Sequence, residues 1–341
     1  MKKNLIALAV AAAMAPGFAA AEGVSVSGFA DITHTTSSDA DLSVFLANGE
    51  IDLRNTMGAV SVGLDVDVAI AGNGGASLGW IVDGAGPADG AVIEQAFFAW
   101  KATDAVTVIG GVFNNPIGWD AEDAPDMDMV SHTLSYEALD NQTALYGNNL
   151  AGVAAAFAAG PATITAAVVN DIGLKDSDAN LSLEDHSFAV VANFAAMEGL
   201  DIEVGYVTQA DDTGVTIDDN GTPGDPTDDF VSNLGVGNVA DVNATFKQGP
   251  LTVKADFMMP SEAVDNIIGL YGRYDINDQV GVAARYEVQS YDASGVDDDT
   301  VTTLYANYKL ADNLNVAAEW YSFDDGSDTT DAITLKFLAK F

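Results

Sequence analysis

Side chains able to do covalent chemistry are few in this sequence, so their spacing is quickly tested. The chain holds three histidines and no cysteine, which removes thiol nucleophiles and Cys-ligated metals. A hydrolytic Ser needs a His base within hydrogen-bond reach and a third residue to orient that base. His34 is followed by Thr35 and Thr36, His132 by Thr133 and Leu134, and His186 by Ser187. None places Ser two residues after His, so no catalytic residue is expected. Oxygen ligands are more plentiful. Asp218, Asp219, Asp225 and Asp228 gather around Gly221 and Gly224, and calcium takes roughly six to eight such oxygens. A D-x-[DN]-x-[DN]-G loop would need acids at 216, 218 and 220, but Thr216 and Asn220 stand at two of them. These four are a weak candidate for loosely bound calcium, and no other cofactor is expected. Gly72-Asn73-Gly74-Gly75 lacks the Lys-Ser/Thr of a phosphate loop. The densest acidic run is Asp120, Glu122, Asp123, Asp126 and Asp128. Lining a narrow passage, such a single-sign set concentrates counter-ions.

The elements that must position these residues show period-two alternation, which sends successive side chains to opposite faces. In Val60 to Ile70 every even position is aliphatic and the odd ones are small or acidic. Val24 to Thr33, Leu251 to Phe257, Val280 to Val288, Leu304 to Leu310 and Ile333 to Phe341 repeat the pattern. Tight breaks fall at Asn55–Gly58, Ala102–Asp104, Ala159–Pro161, Met197–Gly199, Gln248–Pro250, Ile276–Asp278 and Ala311–Asn313. Between them lie long Asp/Gly-rich connections at Gly72–Gly90, Asn114–Gln142, Asp171–Asp185, Ala210–Ser232 and Tyr291–Asp299. Short turns at one end and long polar loops at the other describe a transmembrane antiparallel up-and-down β-barrel, all-β, with short periplasmic turns and long acidic outer loops. Seven turns joining pairs, with both termini at the turn end, count out to 16 strands within a range of 14 to 18. One face is aliphatic at mid-strand and aromatic near the ends, at Phe98, Trp100, Phe246, Tyr274, Tyr308, Trp320, Phe337 and Phe341, as a membrane interface favours.

The opposite face is polar: Asp31, Asp52, Arg54, Asp65, Asp67, Lys254, Arg273, Arg285 and Lys309 are expected to face a lumen, together with Asp201, Glu203, Asp241, Asp256 and Glu287. A dry core could not hold so many unpaired charges; water in the lumen removes the difficulty. The N-terminus reads as a secretory leader over residues 1–21. Lys2 and Lys3 precede an apolar stretch of about ten residues, too short to span a bilayer as a helix, and Ala19-x-Ala21 offers the cleavage site. Residues 22–341 then form one domain, with no linker dividing them. Removing the leader leaves ten cations against 51 acids, which excludes nucleic acid as a partner. The acids of Asp171–Asp185, Asp211–Asp229, Asp292–Asp299 and Asp324–Asp331 are placed in outer loops.

The C-terminal segment Ile333-Thr334-Leu335-Lys336-Phe337-Leu338-Ala339-Lys340-Phe341 resembles the assembly signal of outer-membrane barrels. Ile93-Glu94-Gln95-Ala96-Phe97-Phe98-Ala99-Trp100-Lys101, followed by Val108-Ile109-Gly110-Gly111-Val112-Phe113-Asn114-Asn115-Pro116-Ile117-Gly118-Trp119-Asp120, resembles the OmpL-like porins of proteobacteria. Beyond these motifs the chain matches in pattern alone. The resemblance implies a pore of the Gram-negative cell outer membrane for small hydrophilic solutes, outer-membrane lipid and lipopolysaccharide around it, and barrel assembly machinery reading Phe341. It also implies that the loop after the fifth strand, residues 114–142, folds inward as a constriction, and that the chain forms a homo-oligomer, since general porins are trimers. The chain departs from general porins in lacking a run of constriction arginines. The function expected is passive, cation-preferring diffusion with no enzymatic activity. A structural or adhesive barrel whose acidic loops bind a partner or divalent cations is the alternative.

Overall fold

A computed structural model of the chain describes residues 23–38, 42–69, 90–142, 148–172, 186–209, 217–218, 230–231, 236–292 and 296–341. The first strands are β1 (Ser25–Ser37), β2 (Leu42–Met57), β3 (Val60–Ala69), β4 (Gly90–Lys101) and β5 (Val106–Asn114). A helix, α1 (Leu134–Gln142), precedes β6 (Asn149–Ala159), β7 (Ala162–Asn170), β8 (His186–Met197) and β9 (Leu200–Val207). A separate two-residue ribbon, β10 (Ile217–Asp218) with β11 (Phe230–Val231), follows. The wall resumes with β12 (Val239–Gln248), β13 (Leu251–Pro260), β14 (Val264–Asp275), β15 (Val280–Tyr291), β16 (Asp299–Ala311), β17 (Leu314–Asp324) and β18 (Thr329–Lys340).

Apart from that ribbon, each strand pairs antiparallel with its neighbours along the chain, and β1 pairs with β18, closing a barrel of 16 strands. The count and all seven tight turns fall where the sequence puts them. Turn chemistry explains why. Gly199 has φ +79°, and a Cβ there would stand 2.3 Å from the Lys247 carbonyl oxygen, so the β8–β9 turn can pack against its neighbour only with glycine.

Alternation sorts the side chains so that polarity is reversed relative to a globular protein. Val62, Phe98, Val253, Phe257, Leu304, Tyr308, Leu335 and Phe337 are exposed on the outer surface, whereas Asp65, Lys254, Asp256, Arg285, Glu287 and Lys336 are buried on the inner one. The aromatics named above all lie on the outer face. Closure leaves no unpaired strand edge, the condition for crossing hydrocarbon with strands. None of the described helices is long and apolar enough to cross a membrane.

The end opposite the tight turns also carries short connections, at residues 261–263 and 325–328. The last of these falls inside the stretch Asp324–Asp331, read as an outer loop. Asp325 Oδ1 accepts the N–H groups of Ser327 and Asp328, each at 2.8 Å, and this local bonding closes a hairpin instead. One short helix, α1, accompanies the strands and leaves the all-β class unchanged. The leader lies outside the described residues, as do Asp219, Asp225 and Asp228; Asp218 belongs to the ribbon.

Candidate functional site

The inner face of β2–β4 carries an acidic wall. Ser27, Asp52, Asp65 and Gln95 are register partners from strand to strand, and Phe29, Glu50 and Asp67 form the adjacent row. A bulge enters at Glu94, where the register passes from Asp65↔Gln95 to Val66↔Ile93. The extra residue buries both Glu94 and Gln95, where strict alternation would separate them. Arg54 bonds Asp65 through both ends of its guanidinium, approaches Asp52 at 3.6 Å and lies 5.5 Å over the Phe97 ring. Asp52 also accepts the Ser27 hydroxyl at 2.9 Å. Glu50, Glu94 and Asp123 bring carboxylate oxygens within 4.8 Å of one another, and so do Glu50, Asp52 and Asp65.

Asp123 belongs to residues 115–148, the connection after β5. Its neck is closed by Asn115, which donates its backbone N–H to the Asn148 carbonyl at 3.0 Å and its amide to Asn148 Oδ1 at 3.2 Å. From there the segment reaches the inner faces of distant strands. Lys254 on β13 pairs with Asp128. Glu319 on β17 accepts the N–H groups of Val130 at 2.6 Å and Ser131 at 3.0 Å. Arg285 on β15 donates to the Ser131 carbonyl at 2.9 Å, and Lys340 on β18 to that of Pro125 at 2.9 Å. Glu287 accepts the Leu134 N–H at 2.9 Å and Asp256 the Ser135 hydroxyl at 2.7 Å. These two carboxylates meet the first turn of α1, where the helix dipole favours negative charge. Trp119, Met129, Tyr271 and Ala283 pack into a small apolar cluster, with Lys254 Nζ 5.5 Å from the Trp119 and Tyr271 ring centres.

The five loop acids therefore sit in unlike surroundings. Burial pushes the Asp120 carboxyl up, but His132, Arg285 and the Thr133 N–H outweigh it and hold it below its ordinary value; the Thr133 bond is 2.8 Å and His132 Nδ1 stands at 3.4 Å. Burial and the neighbouring Glu94, Asp123 and Asp67 push Glu122 well above the usual carboxylate range. Asp123 is also raised, by burial first and then by Asp126 and Asp52, against the lowering effect of Glu50 and Arg54. Asp126 donates its N–H to the Asp123 carbonyl at 2.8 Å, and Asp128 is neutralised by Lys254.

The remaining residues singled out from sequence also lie on inner faces, and most are paired. Asp31 meets Lys336 at 3.1 Å, Arg273 meets Asp275 at 2.8 Å, Arg285 meets Glu287 at 2.7 Å and Lys309 meets Asp312 at 2.9 Å. Asp67 is buried, and Asn243 donates to Asp241 and Glu203 at 3.0 Å each. The expectation that water alone accommodates these charges is thus corrected: cross-strand and loop partners take many of them. Glu50, Glu94, Glu319, Lys336 and Lys340 belong to the same network and were not singled out, although Lys336 and Lys340 alternate with Leu335, Phe337 and Ala339 on β18. Phe341 is exposed, and its backbone is bonded in both directions to Gly28, at 3.0 and 3.3 Å.

One pair that spacing could not show is His34 Nε2 and Ser43 Oγ, 3.2 Å apart across β1 and β2. The ring lies tilted at 45° against Phe45, with centroids 4.3 Å apart, and among the described residues no ion pair joins it to a carboxylate.

No protein-family profile and no curated protein matches the chain. Solved structures do match. A mutant of the Rhodopseudomonas blastica porin aligns with a TM-score of 0.58 at 17% identity, covering 94% of this chain and all of that one. A loop-deletion mutant of OmpT, an outer membrane protein of Vibrio cholerae, aligns with a TM-score of 0.60 at 14% identity over 94% of this chain and 99% of that one. At these identities the likeness is one of fold: the chain, a closed 16-strand barrel, is similar in fold to these porin and outer-membrane proteins.

Proposed function

We propose that this barrel is an outer-membrane porin, a water-filled channel for passive diffusion of small hydrophilic solutes and ions that prefers cations, and that it catalyses no reaction. The observation that carries the reading is the reversed polarity of the wall, apolar and exposed outside, charged inside. A bilayer would cover the outer face and water the inner one. Barrels of this strand number leave an aqueous channel when their interior is polar. The segment 114–142, bonded to β13, β15, β17 and β18, would narrow that channel. Glu122, Asp123 and the β2–β4 carboxylates would set its sign, in keeping with a net charge of −39. Export through the leader, assembly through the strand ending at Phe341, contact with lipopolysaccharide and a trimeric state belong to this proposal. Planar-bilayer recording tests it: discrete ohmic steps with a cation-selective reversal potential are expected, and their absence from folded protein would sink it.

A further inference from the structure

We propose that the turn end of the inner wall holds a binding subsite for small zwitterions of the amino-acid and short-peptide class, built around Arg273 and Lys309. The inference deepens the channel reading by naming a solute class. A cavity of about 420 Å³ lies between the β12–β13 and β14–β15 turns and the adjoining ends of β16 and β17. Arg273 lies across it, donating Nε–H to Asp275 Oδ1 at 2.8 Å and Nη2–H to Asn307 Oδ1 at 2.9 Å. Those bonds engage two of its five N–H groups, and the Tyr271 and Tyr305 hydroxyls also face the guanidinium. A Cβ at position 281 would stand 2.3 Å from Arg273 Nη2 and 2.7 Å from Asn307 Oδ1. The guanidinium can therefore lie over the β15 backbone because residue 281 is glycine.

Lys309 lines the same cavity from the next position on that face of β16, opposite Asn315, with its backbone N–H bonded to the Gln279 carbonyl at 2.8 Å. Its ammonium is 2.9 Å from Asp312, and its side chain is 40% exposed, so a short rotation turns it from that acid toward a solute. The inner cations elsewhere are committed differently: Arg54 to Asp65, Lys336 to Asp31, Lys254 and Arg285 to the crossing segment and its neighbours. At the turn end a guanidinium and an ammonium share one open volume with the carboxylates of Asp275 and Asp278.

That mixture decides the ligand class. A simple anion entering the cavity meets two carboxylates, and a simple cation meets the guanidinium and the ammonium. A molecule carrying both signs a few ångströms apart satisfies both sets. The planar guanidinium fork suits a carboxylate, Asp278 can receive the ammonium, and the Asn315 and Gln279 amides can bond a peptide group. Ligand pockets run from about 300 to 1,000 Å³, so this one, near the lower end, fits a dipeptide better than a longer oligomer.

The test is binding of alanyl-alanine to the detergent-folded barrel, read by saturation-transfer NMR. Its N-acetyl derivative and its methyl ester, each keeping one charge, serve as comparison probes. The dipeptide should bind, and both derivatives should bind at least tenfold more weakly. Arg273→Gln should weaken dipeptide binding at least tenfold. Gly281→Ala, which keeps every charge but displaces the guanidinium, should do the same, and Lys309→Gln should weaken it several-fold. Heat-modifiable gel mobility verifies folding of each variant, and the glycine and lysine variants carry the test if Arg273→Gln does not fold. Absence of dipeptide binding, equal binding of the singly charged derivatives, or folded variants that bind as the parent does would overturn the proposal. Conduction is not needed for this readout, so lack of channel steps would count against the porin reading and leave this one standing.

Discussion

Glu319 offers the sharpest test of how the crossing segment is held. One side chain on β17 accepts two backbone N–H groups of that segment, from Val130 at 2.6 Å and Ser131 at 3.0 Å. Glu319→Ala leaves both donors without that acceptor. An unsatisfied buried donor costs about 1–3 kcal/mol, and Val130 and Ser131 are half-buried, so the lower end applies to each. Together they amount to about 2 kcal/mol, or roughly 30-fold in the local opening equilibrium at 1.4 kcal/mol per decade. The segment should stay docked on average, because Lys254, Arg285, Glu287, Asp256 and Lys340 still hold it. Glu319→Gln, with one carbonyl oxygen and no charge, should cost about half as much. Hydrogen exchange of the Val130 and Ser131 amides reads the effect directly. The alanine variant should exchange roughly 30-fold faster, with single-channel current becoming noisier but not absent. Exchange within threefold of the parent would show that Glu319 does not anchor the segment, and unchanged current noise beside accelerated exchange would place the segment away from the ion path.

Replacing Asp120, Glu122, Asp123, Asp126 and Asp128 by Asn should lower cation preference with a modest change of conductance. Glu122 and Asp123 should carry most of the loss, because Asp128 is already matched by Lys254; an unchanged reversal potential would exclude the segment from selectivity. Because burial raises Glu122 and Asp123 above their ordinary values, acidification should reduce cation selectivity before ordinary carboxylates protonate. Groups raised in the folded state oppose docking once they ionise, so the protection factors of the segment's amides, with intrinsic exchange divided out, should be larger at lower pH. Asp120 acts oppositely, its contribution being present above the ordinary Asp value and lost below it. Cation preference should fade as salt rises, since the Debye length falls from ~30 Å at 0.01 M to ~3 Å at 1 M; salt-independent selectivity would point to a short-range filter. Deleting Phe341 should leave aggregated precursor in place of a heat-modifiable barrel, and normal levels in the outer membrane would reduce that residue to part of the aromatic girdle.

How much of this could be read in advance depends on how local each determinant is. Strand number and the turns at Gly58, Gly160, Gly199 and Gly249 were legible because period-two alternation and positive-φ glycines act within a few residues. The inward faces of Lys254 and Arg285 followed from the same alternation. Their partners did not, because Asp128 and Ser131 reach them only through the path of a connection more than 120 residues earlier in the chain. Alternation does not place Glu94, since a bulge breaks the pattern that would position it. Helix α1 had a readable start: Thr133 Oγ1 accepts the Tyr136 N–H at 3.1 Å, and the Thr133 carbonyl accepts the Glu137 N–H at 3.0 Å, a capping arrangement. The acidic, turn-rich run that surrounds it reads as loop all the same.

The seam between β1 and β18 sets an order of events for making the protein. Thr35 meets Thr334 at 2.9 Å across a separation of 299 residues, and Asp31 finds Lys336 on the same seam. Every other wall junction joins strands adjacent along the chain or, for β9 and β12, separated by one connection. Hairpins can therefore form as the polypeptide emerges, yet the ring cannot shut until residues 329–340 are delivered. Until that moment β1 presents an open row of backbone donors and acceptors able to pair with any passing strand. An unfinished chain is thus an aggregation hazard however many hairpins it has made, and the first strand stays exposed for as long as synthesis of the last one takes.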